Sequence, residues 1–214
     1  MSYGYIGDTS TSIKQQVKNA GVLSVSDVLD LEGKGHLGGS LELIEEQTVS
    51  GTPNSINFIN LANNPYDVYF LTAKNVQVAS DDNQILMRFS NDNGSSVVSS
   101  SNYDFANFRI SSNGSTQEYT ATNESFIGMQ ANSGSTSGYS TNFYIYFYNF
   151  LDSSKYSFTT SQTVNSSSSS LDRTAFGGAV LTVAETHNAI SLFGNAGVGQ
   201  TSGTYTLYGI KEIS

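Results

Sequence analysis

The chain holds two histidines, His36 and His187, and no cysteine, so few side chains could ligate a metal or carry a proton near neutral pH. In Glu185-Thr186-His187 the acid and the imidazole fall on the same side of an extended backbone, but no third ligand follows at a recognisable spacing. A turn or surface role fits both histidines better than a metal. Asp81-Asp82-Asn83 and Asn91-Asp92-Asn93-Gly94 are rich in oxygen ligands, yet neither has the length or closing Glu of a twelve-residue calcium loop. Tight turns explain them more simply. Gly194 to Gly199 lacks the Lys and the helix of a phosphate-cradling loop, and Gly134-Ser135-Thr136-Ser137-Gly138 has Thr where a nucleophile elbow has Ser. Glu45 and Glu46 are adjacent and would point to opposite faces of a strand, whereas glycosidases need two carboxyls converging across a cleft. No catalytic constellation, cofactor site or metal site emerges, and the expectation is a protein without an enzymatic step.

What must position these residues is a set of strands. Asn142 to Phe150 is a dense aromatic run in which Phe143, Ile145 and Phe147 alternate with Tyr144, Tyr146 and Tyr148, one set for each face of a strand. Similar runs recur at Leu41 to Val49, Ile56 to Leu61, Val68 to Ala73, Ile85 to Ser90, Phe105 to Ile110 and Ser125 to Met129. Further ones lie at Tyr156 to Thr160, Ala179 to Ala184, Ala189 to Phe193 and Tyr205 to Ile210. Asn- and Gly-rich connections such as Asn113-Gly114 separate them, and helical periods between strands are missing, which disfavours a parallel βαβ fold. The fold class predicted is all-β, an antiparallel β-sandwich of jelly-roll type. Acidic residues interrupt Leu41 to Glu46 as they do in edge strands, and the last run should be held inside a sheet. Ser166 to Ser170 has no packing capacity and reads as a loop.

Residues 1–39 differ in texture from 40–214, and the boundary is set near Gly38-Gly39. In the leading segment Ser24 can cap a helix of about two turns, with Asp27 at its third position, Leu23 and Val28 as a hydrophobic staple and Gly33 as a stop. Val25, Val28 and Leu29 would share one face, and so short a helix needs a partner surface, either its own sandwich or another subunit.

Composition bounds the partners. A formal charge of −9 on 214 residues speaks against a phosphate backbone as ligand, and no run long enough to span a bilayer exists. Met1 to Ser12 lacks the basic and apolar regions of a secretory signal, and the absence of cysteine mildly favours synthesis in a cytosol. What remains is a surface rich in Tyr, Asn, Ser and Thr, whose rings and amides suit carbohydrate or protein contact at neutral charge.

Gly4-Tyr5-Ile6-Gly7, Gly21-Val22-Leu23-Ser24, Asp27 to Leu31 and Gly38 to Ile44 together resemble the amino-terminal segment of structural proteins of marine tailed bacteriophages. Val183 to Ile190 and Ser202 to Ile210 look like the closing strands of phage fibre or decoration domains. The resemblance implies a virion component made in the host cytoplasm, a tail fibre or capsid-attached fibre, with residues 1–39 as an anchoring arm. Its docking residues would be Tyr5, Ile6, Val22, Leu23, Val25, Val28, Leu29 and Leu31, and its sandwich would be displayed for a host-surface glycan or protein. The implied partners are other capsid or tail proteins and further copies of the chain, with a homotrimer favoured. A decoration protein cementing the shell and a polysaccharide-degrading enzyme on the same scaffold are the alternatives.

Overall fold

A computed structural model of the chain describes residues 25–26, 29, 41–63, 65–166 and 171–210. Leu43–Lys211 forms one compact unit; of the other, Met1–Glu42 with Glu212–Ser214, the described residues are Val25, Ser26, Leu29, Leu41 and Glu42.

The strands are β1 (Leu41–Thr48), β2 (Ser55–Phe58), β3 (Val68–Val78), β4 (Asn83–Ser90), β5 (Tyr103–Ser111) and β6 (Thr116–Glu124). They continue with β7 (Ile127–Ser133), β8 (Thr141–Tyr148), β9 (Ser157–Ser166), β10 (Asp172–Leu181), β11 (Ala189–Gly194) and β12 (Gln200–Ile210). An eight-stranded sheet has the order β1-β12-β3-β8-β9-β10-β5-β6, and a four-stranded sheet the order β2-β11-β4-β7. Their paired strands run antiparallel. The protein is therefore all-β with two antiparallel sheets. β1 lies at a sheet edge and β12 lies inside a sheet, as the acidic interruptions of the one and the apolar run of the other anticipate.

One core joins the two sheets. Phe143, Ile145 and Phe147 of β8 are buried and Tyr144 is exposed, so the alternation read from the sequence has the right phase. Phe89 of β4 meets Phe147 of β8 with ring centroids 6.1 Å apart, and Phe150 with centroids 4.9 Å apart. Burial of each such ring is worth about 1.5–3 kcal/mol. Buried tyrosines keep their hydroxyls satisfied. Tyr103 Oη donates to the Val98 carbonyl at 3.0 Å and accepts from the Phe89 amide at 3.0 Å, as a hydroxyl removed from water requires.

β9 inverts the usual pattern. Its inward residues are Ser157, Thr159, Ser161, Thr163 and Asn165, all buried, while Phe158 and Val164 are exposed. The reason lies in β7, an edge strand of the small sheet, which lies against β9, β10 and β5. An edge strand presents carbonyls that need donors. Asn107 Nδ2 donates to the Gly128 carbonyl at 2.9 Å, and Thr163 Oγ1 donates to that of Gln130 at 3.5 Å. Small polar side chains permit this close approach where large apolar ones would hold β7 away.

β6 was not among the strand-like runs, and β9 and β10 are longer than those runs suggest. The turn readings of the Asp/Asn clusters hold. Asp92 accepts from Ser90 Oγ at 2.7 Å and from the Ser96 amide at 2.8 Å, and Asn93 and Gly94 have φ of 63° and 83°. These bonds keep the Asp92 carboxyl well below its ordinary value, at about 2. Gly194 to Gly199 connects β11 to β12 through a short 3-10 turn at Asn195–Gly197.

Candidate ligand-binding face

The outer face of the eight-stranded sheet collects what the alternation of β8 turns away from the core. Tyr146 stands opposite Phe70 of β3, and Phe70 stands opposite Tyr208 of β12. The Phe70 ring lies with centroid separations of 4.6 Å to Tyr146, 6.0 Å to Tyr144 and 6.1 Å to Tyr208. Tyr148 extends the row, stacked 6.4 Å from Tyr146. The β-propensity of aromatic residues places them in strands; the register brings five rings from three strands together.

A groove of about 510 Å³ borders this platform, lined by Phe70, Tyr144 and Tyr208 together with Glu46, Asn142 and Gln162. The polar groups are already oriented. Tyr144 Oη donates to Gln162 Oε1 at 2.7 Å, which fixes the orientation of the Gln162 amide beside the groove. Thr206 Oγ1 donates to Glu46 Oε2 at 3.0 Å, holding that carboxylate at the rim. Flat rings beside fixed amide and carboxylate groups can stack on the apolar face of a sugar ring while bonding its hydroxyls.

The other half of the same face is apolar. Phe158, Val164, Phe176 and Ile110 are 43%, 54%, 52% and 40% exposed, and the Phe108 and Phe176 rings lie 5.9 Å apart. Next to this ridge Gly178 and Ala106 leave a hollow of about 720 Å³.

Of the arm residues expected to dock, Val25 and Leu29 are helical and 79% and 61% exposed. Tyr5, Ile6, Val22, Leu23, Val28 and Leu31 lie outside the described residues, as do His36 and the serines at 167–170.

His187 departs from the surface or turn role expected of it. It is fully buried, in the loop between β10 and β11, and its partners come from two directions. Ser157 Oγ lies 2.8 Å from Nδ1 and Glu185 Oε1 lies 3.3 Å from Nε2. The order Ser, His, Glu is that of a hydrolytic triad. Ser157 is itself fully buried on the inner face of β9, and the Phe89 and Phe150 rings sit 5.7 Å and 5.8 Å from the imidazole, so no substrate reaches this oxygen in the folded conformation. Burial lowers the His187 pKa, with Glu185 pulling the other way, and the imidazole is a neutral bracket inside the core.

Glu45 and Glu46 do separate, Glu45 bonding Gln47 and Glu46 bonding Thr206. Among the described residues no cluster of three or more His, Cys, Asp or Glu could hold a metal ion, and no helix is long and apolar enough to cross a membrane. Sequence reasoning singled out the three tyrosines of β8 but not Phe70, Tyr208, Glu46 or Gln162. The signal was present in the alternate positions Val68, Phe70, Thr72 and Thr204, Thr206, Tyr208, once β3 and β12 are known to flank one another. Compared with known proteins, the chain matches no family model, and no curated protein is detectably similar to it in sequence.

Proposed function

We propose that the chain is a virion structural protein, a tail fibre or capsid-attached fibre, which docks through residues 1–39 and displays a β-sandwich whose tyrosine face binds a host-surface glycan. The observation carrying this reading is the five-ring platform beside the Glu46, Asn142 and Gln162 groove. Strand order supports a jelly roll. Without β5, β6, β9 and β10, the sheets reduce to β1-β12-β3-β8 and β2-β11-β4-β7, the arrangement in which eight strands wind as two Greek keys. Jelly rolls recur in viral capsid and lectin domains, so the fold is by analogy suited to such a role. The four additional strands widen one sheet and create the apolar half of its face. That half is assigned to contact between copies of the chain, a homotrimer being the favoured assembly, because it sets the exposed Phe176 ridge beside the Gly178 hollow. Several copies on one particle would raise the avidity of weak glycan contacts.

Titration of the purified full chain with host cell-surface polysaccharide, followed by calorimetry, tests the glycan reading. Saturable binding that is lost in Tyr144→Ala with the melting curve preserved is the expected result; binding unaffected by Tyr144→Ala and Gln162→Ala together removes the assignment of this face. Release of new reducing ends during the incubation would instead favour a polysaccharide-degrading enzyme.

A further inference from the structure

The groove beside the aromatic platform has two chemically unlike ends. Three cross-strand rows follow one another on the outer face of the sheet. Tyr208, Phe70 and Tyr146 form the first, and Thr206, Thr72, Tyr144 and Gln162 the second, each residue opposite its neighbour on the adjoining strand. Glu46 of β1 joins the second row through the hydrogen bond it accepts from Thr206. Two positions further along β3, about 7 Å at the rise of a strand, Lys74 stands opposite Thr204, and on β8 Asn142 stands opposite Val164.

A bulge fixes Lys74 in that third row. The register of β3 with β8 breaks between Ala73 and Val76, and Asn75 has a φ of 53°. The Asn75 amide donates to Asn142 Oδ1 at 2.9 Å, and Ser202 Oγ donates to the Asn75 carbonyl at 3.0 Å, so β8 and β12 pin the bulge from both sides. Bulges re-aim the side chains around them, and this one leaves Lys74 exposed in the lining of the groove. Ion pairs among the described residues join Lys155 to Asp152, Arg173 to Asp82 and His187 to Glu185, and none engages Lys74. Glu46, the acidic residue of the same lining, is bonded to Thr206, and β12 lies between its strand and that of Lys74.

We propose that the glycan taken by this face is acidic, with a sugar ring over Tyr144 and its carboxylate or sulfate ester on the Lys74 ammonium. The inference rests on the glycan reading of the face and narrows it. A neutral sugar would use the rings, Gln162 and Glu46 but leave the ammonium to water. An anionic group on the exocyclic carbon extends beyond the ring toward the third row, where the flexible four-carbon stem of Lys74 brings its charge to meet it. Hydrogen bonds between ionised partners are roughly twice as strong as neutral ones. With 9 Lys and Arg against 18 Asp and Glu, the field of the whole chain repels anions, so the preference arises from contact at Lys74 and not from long-range attraction.

The test is NMR titration of the full chain with methyl glycosides in matched sets: galactoside, galactoside 6-sulfate and galacturonide, and the corresponding glucose set. In at least one set an acidic member should bind about three- to tenfold more tightly than its neutral parent, the reach of one ion pair at a partly exposed site, and the tighter of the two acids identifies the anion. Lys74→Gln should bring the acidic members to the level of the parent sugar, and Lys74→Arg, which keeps the charge, should retain the preference; both variants change an exposed side chain and should melt as the parent does. Tyr144→Ala should abolish binding of every member. Equal or weaker binding of the acids, or a preference that survives Lys74→Gln, overturns the acidic assignment and leaves the glycan reading standing. Absence of binding by every glycoside, or binding that survives Tyr144→Ala, removes both.

Discussion

Replacing Phe89 by Ala would remove the ring at which the two sheets meet. Phe89 is fully buried, and its ring faces Tyr103 at 5.8 Å, Phe147 at 6.1 Å, Phe150 at 4.9 Å and His187 at 5.7 Å. The neighbours come from β5, β8 and two loops, so no single side chain can move in to fill the space. Phe→Ala substitutions in cores cost about 3–5 kcal/mol, and this position belongs at the upper end, because its ring pairs are lost together with its burial. A domain is stable by about 5–15 kcal/mol in total. Urea titration followed by circular dichroism should therefore show a loss of about 4–5 kcal/mol, and a thermal scan a drop of about 10–15 °C. Phe176→Ala supplies the internal control: the same change at a side chain 52% exposed on the outer face should cost no more than about 0.5 kcal/mol in the isolated chain. A cost below about 1.5 kcal/mol for Phe89→Ala, or equal costs for the two variants, would refute the claim that the sheets share one core centred on this ring.

Three further outcomes follow from single positions. Gly177→Ala places a Cβ 2.2 Å from the Ala106 carbonyl oxygen of β5, so the β5–β10 ladder must shift, and stability measured by urea titration should fall by about 1–3 kcal/mol or more. His187 has a pKa below its ordinary value when folded, so the unfolded chain binds the proton first; stability should fall as pH drops below about 6.5 toward the lowered value, and His187→Gln should flatten that part of a stability-against-pH curve. Tyr144→Ala, at a side chain 39% exposed, should leave the unfolding free energy from urea titration within about 1 kcal/mol of the parent while abolishing polysaccharide binding.

The alternation of apolar and polar residues made most strands legible, because burial on one face imposes a period of two. It failed where that cause is absent. β6, TQEYTATNE, lies at a sheet edge with no fully buried residue, so no apolar period marks it. β9 was shortened for the opposite reason: its buried side is Ser, Thr and Asn, its solvent side carries Phe158 and Val164, and hydrophobicity there points to the wrong face. The tyrosine platform was half legible. Tyr144, Tyr146 and Tyr148 belong to one strand and announce themselves, whereas Phe70 and Tyr208 join them only through the pairing of β3 with β8 and β12. His187 could not be placed from its neighbours in sequence, since Ser157 lies thirty residues away. The place of Lys74 in the groove likewise follows only from the register of β3 with its neighbours.

Imaging of an assembled particle tests the central claim most directly. The account predicts density for this chain on the capsid or tail, with residues 1–39 against a neighbouring virion protein and the face bearing Phe70, Tyr144 and Tyr208 turned to solvent. Density that packs this face against the shell, or particles from which the chain is absent, would contradict it.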